Sequence, residues 1–179
     1  MPTGSPHLDL GIVRDTAETY HLASTEPEGV TYAEVDADGV PALWVIPAGA
    51  DLDRALPHFH FGGSVTASMH ADRKAAGHIA KAAGIRSLVV DFRHAPEHPY
   101  PARLDDVETA YRWLLAQGYQ PQHIGSTGHS VRRAVDRGPT GPVAAARGLG
   151  DRAVGAGVGQ IQECWTRKIG TPEGLPQRR

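Results

Sequence analysis

The chain has 179 residues, 40% of them hydrophobic and 21% charged, with a formal net charge of −2 at pH 7. That is the composition of a soluble globular domain, and a balance so near neutral argues against nucleic acid or an anionic membrane surface as a partner. Cys164 is the only cysteine and no apolar run approaches the roughly 20 residues that cross a bilayer, which excludes a disulfide framework, a cysteine-based zinc site and a membrane span. Met1-Pro2-Thr3-Gly4-Ser5 lacks the basic-then-apolar order of a secretion signal, so a cytoplasmic location is expected.

Residues 1–29 mix polar and small side chains and read as a loosely helical or irregular lead-in, a cap-like segment. Residues 30–35 have strand composition, Asp38-Gly39 signals a hairpin turn, and residues 41–46 return as a second strand. Residues 47–53 read as a loop. A third strand is expected over 55–60, with Pro57 removing one ladder donor, followed by the glycine turn Phe61-Gly62-Gly63-Ser64. A helix is predicted over 70–83 and stopped by Gly84, with Ala71, Ala75, Ala82, Ala83 and Ile79 as its packing face. Residues 87–92 form the cleanest strand, a β-branched run of the kind buried on both faces. Residues 93–101 hold three prolines and read as a structured loop. The next helix covers 102–117, with Val107, Ala110, Tyr111 and Leu114 on one face and Gly118 as its stop. A last short strand, 124–127, leads into Gly128-His129-Ser130. Strands and helices alternating over connections this short predict an α/β fold with a mostly parallel, doubly wound sheet and an N-terminal hairpin.

Gly-x-Ser at the end of a strand is the first half of a nucleophile elbow, a sharp turn that lifts a serine hydroxyl above the sheet. Taken alone it is more often a plain turn. A second glycine turn at the end of another strand strengthens it, because ester cleavage needs amide donors for the oxyanion as well as a nucleophile. The backbone N–H groups of Gly62, Gly63 and Val131 are candidates, although Gly62-Gly63 reads equally well as an ordinary tight turn. Function in such a sheet sits at the carboxyl ends of the strands, where both turns fall.

Four stretches together resemble the hormone-sensitive-lipase branch of α/β-hydrolases, the fold-3 type esterases. They are His60-Phe61-Gly62-Gly63, the run from Asp91-Phe92-Arg93-His94-Ala95-Pro96-Glu97-His98 to Pro99-Tyr100-Pro101-Ala102, Tyr111-Arg112-Trp113-Leu114 and Gly128-His129-Ser130. The resemblance covers about 28–131 and marks 30–131 as a partial α/β-hydrolase domain. It implies a carboxylesterase or lipase-like hydrolase of short acyl esters or lactones, needing no cofactor or metal. Ser130 is then the nucleophile, Gly62, Gly63 and Val131 the oxyanion donors, and His60, Gly128 and His129 associated motif residues.

Three departures stand beside it. Phe61 replaces the first glycine of the family's loop, and if that position requires φ > 0 a bulky side chain there is strained. Arg132 and Arg133 replace two glycines that let the elbow helix approach. The triad order is Ser, then Asp or Glu, then His, yet all ten histidines lie at or before His129, and Asp136 and Asp151 are poor acids in an irregular stretch.

The composition breaks at the same place. Up to Ser130 there are nine Lys/Arg against sixteen Asp/Glu, and from Val131 onward nine against four. Residues 132–179 alternate Gly, Arg, Ala and Pro with no helical or strand period, an irregular and disorder-prone composition. Gly-Gly coded GGC-GGN and read one base early gives CGG-CGN, Arg-Arg, and the shifted frame offers Gly-Gly-Gln-Ser-Thr-Val-Ala-Leu-Arg-Ala. The residues after Val131 are therefore expected to be an out-of-frame product, leaving an incomplete enzyme, weakly active or inactive. The alternative is a non-catalytic relic or association module of the same fold.

Other polar residues have plainer readings. His58 and His60 share one side of their strand at a spacing metal sites use, but no Asp, Glu or Cys beside them completes a ligand set. His70, His78, His94 and His98 read as surface or loop-anchoring residues, and Asp105-Asp106 as complements to a helix dipole.

Overall fold

The computed structural model describes residues 9–128 and Ser130. Helix α1, Leu10–Glu18, starts where the Asp9 carboxylate accepts from the Gly11 and Ile12 amides at 2.9 and 3.3 Å, and a 3₁₀ turn, Thr19–Ala23, follows it within the lead-in. Strands β1, Val30–Asp36, and β2, Pro41–Pro47, form the expected hairpin. Asp38 and Gly39 both have positive φ, 60° and 87°, the condition that a two-residue turn must meet to match the twist of the strands it joins.

Strand β3 runs Asp51–Phe59, helix α2 Met69–Ala83, strand β4 Ile85–Val90, helix α3 Ala102–Ala116 and the short strand β5 Thr127–Gly128. The spatial order is β1-β2-β4-β3-β5. β3 is parallel to β4 and to β5, whereas β2 is antiparallel to both β1 and β4, so the sheet is mixed. Pro57 is tolerated in a central strand because it lies between the Ala55–Ile124 bridge and the His58–Thr127 pairing on its β5 side. β3 starts earlier than its polar beginning suggests, because Asp51, Leu52 and Asp53 occupy the exposed end of the strand.

The alternation of strand side chains divides the core in two. Leu43, Val45 and Val89 pack on one face against Met69, Ala76 and Ala80 of α2. Trp44, Leu88 and Val90 pack on the other against Val107, Ala110 and Leu114 of α3. Helices therefore cover both faces, as a doubly wound sheet requires. The α3 face matches the sequence reading; the α2 face does not. Ala82 is exposed and Ala75, Ile79 and Ala83 only half-buried, while Met69, Asp72, Ala76, Gly77 and Ala80 are buried with Ala71. Following alanines alone hid the glycine and the carboxylate on that face. A Cβ on Gly77 would stand 2.6 Å from Pro27 Cγ, so the helix lies against the end of the lead-in.

Ser68 caps α2: its hydroxyl oxygen accepts from the His70 and Ala71 amides at 3.2 and 3.3 Å and donates to Glu18 Oε2 at 2.7 Å. Ser68→Ala is expected to cost about 1 kcal/mol, the usual worth of an N-cap, read as a lower urea midpoint with an unchanged slope.

Candidate active site

β3 and β5 end in register, with Phe59 opposite Gly128. The chain leaving β3 passes through His60 and Phe61 into the glycine turn, and the chain leaving β5 reaches Ser130 two residues later. Both segments emerge at the carboxyl ends of neighbouring parallel strands, which lie about 4.8 Å apart.

Gly128 has φ 153°, and a Cβ there would meet the Phe59 carbonyl oxygen at 2.4 Å, so glycine is what lets β5 close on β3. Ser130 is exposed, in a turn, with φ 53°. A non-glycine residue in that region is strained by about 1–2 kcal/mol and marks a place where the surroundings dictate the backbone.

The Gly62 carbonyl accepts three hydrogen bonds, from the amides of Val65 and Thr66 at 3.0 and 3.1 Å and from the Thr66 hydroxyl at 3.1 Å. Gly62 has φ 107°, and a Cβ would stand 2.0 Å from the Thr66 carbonyl oxygen, so no side chain fits. Because a trans peptide sets C=O and N–H in opposite directions, drawing the Gly62 carbonyl into the turn points the Gly63 N–H outward. Phe61 is not among the residues with positive φ, so the expected strain is absent there, and its ring stacks on Tyr20 of the lead-in with centroids 5.3 Å apart.

His60 lies beneath this turn, fully buried, its Nδ1–H donating to the Phe61 carbonyl at 2.8 Å and its ring stacked on Phe92 at 4.1 Å. Its Nε2 is 3.8 Å from Asp91 Oδ1. Burial foremost, with the neighbouring His94 and His58 adding to it against the Phe61 carbonyl and Asp72, lowers the His60 pKa from 6.5 to about 4. The ring is neutral at pH 7 and supports the loop. Because the unfolded chain binds this proton near pH 6.5 and the folded chain only near 4, stability present above pH 6.5 is lost as pH falls toward 4. The loss of stability between pH 7 and 4.5, measured by urea titration, should be smaller in His60→Gln than in the parent chain.

His58 donates from Nε2–H to Asp72 Oδ2 at 2.8 Å, both groups buried. Asp72 gave one sequence signal: it falls three residues after Met69 and four before Ala76, on the buried stripe of α2. Asp91 Oδ1 accepts from the Met69 amide at 2.9 Å, tying the end of β4 to the start of α2. Asp106 departs from its expected role beside the helix dipole. It is buried and accepts the Arg93 amide at 2.8 Å and the Arg93 guanidinium at 2.7 and 3.0 Å, which pins the loop after β4.

The lead-in reaches the site through one face of α1, where Arg14, Ala17 and Glu18 follow i, i+3, i+4 spacing. Arg14 Nε donates to the Val65 carbonyl at 2.8 Å, and Nη2 to the Ala95 carbonyl at 3.2 Å. Its Nη1 and Nη2 grip Glu97 at 2.7 and 2.6 Å, and that pairing holds the Glu97 carboxyl down to a pKa of about 2.

His129, Val131, Arg132, Arg133, Asp136 and Asp151 lie outside the described residues. Among the described residues, no cluster of three His, Cys, Asp or Glu side chains is arranged for a metal ion, and no helix is long and apolar enough to cross a membrane.

A family model described as alpha/beta hydrolase fold matches residues 56–131. An acetyl-hydrolase of Streptomyces hygroscopicus is 32% identical over 145 residues, covering 71% of this chain and 48% of that protein. The esterase LipU of Mycobacterium tuberculosis is 32% identical over 122 residues, covering 68% and 41%. A crystal structure of an esterase from the bacterial hormone-sensitive lipase family superposes with a TM-score of 0.66 at 38% identity, covering 72% of this chain and 43% of that one. The chain thus spans about half the length of the curated relatives it matches.

Proposed function

From the premise that this chain belongs, over residues 56–131, to the alpha/beta hydrolase fold family, we propose that it is built as a serine carboxylic-ester hydrolase acting on short acyl esters or lactones. Ser130 Oγ attacks the ester carbonyl. The amides of Gly62, Gly63 and Val131 receive the developing oxyanion, the alcohol leaves, and water releases the acyl group from Ser130. The observation that carries this reading is an exposed serine at φ 53°, just beyond a strand paired in register with the strand that feeds a glycine turn. The names of the relatives, acetyl-hydrolase and esterase, agree with it.

The serine proton must pass to a base, and no histidine follows His129 in the sequence. That observation, with a family match that stops at Val131 one residue before Arg132-Arg133, favours a second reading. In it the residues after Val131 are out of frame and the chain is a non-catalytic relic. A fluorophosphonate probe separates the two. Labelling that mass spectrometry maps to Ser130 supports the hydrolase; a folded chain that takes no label at millimolar probe is the relic. Sequencing the coding DNA across residues 130–137 tests the frame itself: an alternative frame without downstream Asp and His motifs rejects it.

A further inference from the structure

We infer that Arg14 is a positioning residue for the oxyanion loop, setting the direction of the Gly63 amide from the lead-in helix through two linked peptide planes. The inference rests on the hydrolase reading for its catalytic consequence, but its geometric part stands apart from it.

The relay begins at the Val65 carbonyl, which accepts Arg14 Nε–H at 2.8 Å. That carbonyl shares a rigid peptide plane with the Thr66 N–H, which points the opposite way and donates to the Gly62 carbonyl at 3.1 Å. The Gly62 carbonyl in turn shares its plane with the Gly63 N–H, the proposed donor. Holding one end of the first plane therefore fixes the tilt of the second. A parallel path runs through the loop after β4. The Ala95 carbonyl accepts Arg14 Nη2 at 3.2 Å, while the Ala95 N–H donates to the Ser64 carbonyl at 2.9 Å, on the same turn.

The chemistry selects arginine. A planar guanidinium offers five donors in a fixed fork, and here one side chain serves two carbonyls and both oxygens of Glu97 at once. The Glu97 pair fixes the plane of the fork and leaves Nε aimed at Val65. A lysine would supply a point charge without that geometry. Two neighbouring contacts hold the two ends of the same loop to the lead-in: Tyr20 stacks on Phe61, and Glu18 accepts from the Ser68 hydroxyl.

The test compares the full chain with Arg14→Ala, Arg14→Lys and, as a control, Arg112→Ala, which breaks an exposed pair on α3. Amide hydrogen exchange reads the geometry without activity. In Arg14→Ala, exchange at Val65 and Thr66, the two amides that hold the Gly62 carbonyl, should rise about tenfold or more while β4 stays protected, because only the local opening is made easier. Fluorophosphonate kinetics read the consequence: the maximal inactivation rate should fall about tenfold with the half-saturating probe concentration unchanged, the mark of a lost transition-state contact. Arg14→Lys should recover part of both effects, and Arg112→Ala should show neither. Exchange at Val65 and Thr66 equal to the parent chain overturns the inference, as does a labelled parent whose inactivation rate Arg14→Ala leaves unchanged. If Arg14→Ala unfolds, Arg14→Lys decides, and acceleration in β4 equal to that in the loop counts against positioning. A parent chain that takes no label rejects the hydrolase reading while the exchange arm still decides this one.

Discussion

Ser130→Gly is expected to yield a more stable chain that takes no fluorophosphonate label at all. The serine sits at φ 53°, where any side chain bearing a Cβ is pressed toward its own carbonyl, and glycine relieves that strain. The gain should be about 1 kcal/mol, reduced somewhat by the extra freedom glycine gives the unfolded chain. Ser130→Ala should also lose the label but gain no comparable stability, since alanine keeps the Cβ. The pair of variants separates the two effects of one residue: loss of the nucleophile is common to both, and relief of the backbone belongs to glycine alone. Urea denaturation and labelling on the same preparations check this. A stabilised and fully labelled Ser130→Gly would place the reactive group on another residue.

Asp72→Ala is expected to be the most destabilising substitution on α2, at about 3–5 kcal/mol, because it leaves the buried His58 without the carboxylate it faces at 2.8 Å. Asp72→Asn keeps the volume and one acceptor oxygen and should cost less. Replacing both partners by leucine should recover much of the loss, as apolar side chains of similar size avoid the burial of charge. Thermal midpoints of the three variants give the comparison. A loss for Asp72→Ala within about 0.5 kcal/mol, the range of an ordinary surface change, would show that the pair contributes nothing.

The hairpin, both longer helices and the glycine stop at Gly84 were legible because each has a local cause: a turn that demands positive φ at 38 and 39, an apolar stripe on α3, a left-handed cap. The two glycine turns were legible for the same reason. What the sequence hid was set by partners distant along the chain. Asp72 and His58 are 14 residues apart and Asp106 and Arg93 are 13 apart, so neither acid's own segment shows its partner, even where the spacing of Asp72 puts it on the buried stripe. The antiparallel pairing of β2 with β4 is likewise decided by which strand the α2 crossover returns to. The contacts of Arg14 span 51, 81 and 83 residues, beyond any local pattern.

Those long spans have a consequence for the order in which the molecule is made. Arg14, Tyr20, the glycine turn, β4 and Glu97 all precede Ser130 in the chain and are synthesised before it. Every described tether of the receiving loop thus lies upstream of the reactive hydroxyl, and β5 is the last of the sheet's described strands to be made.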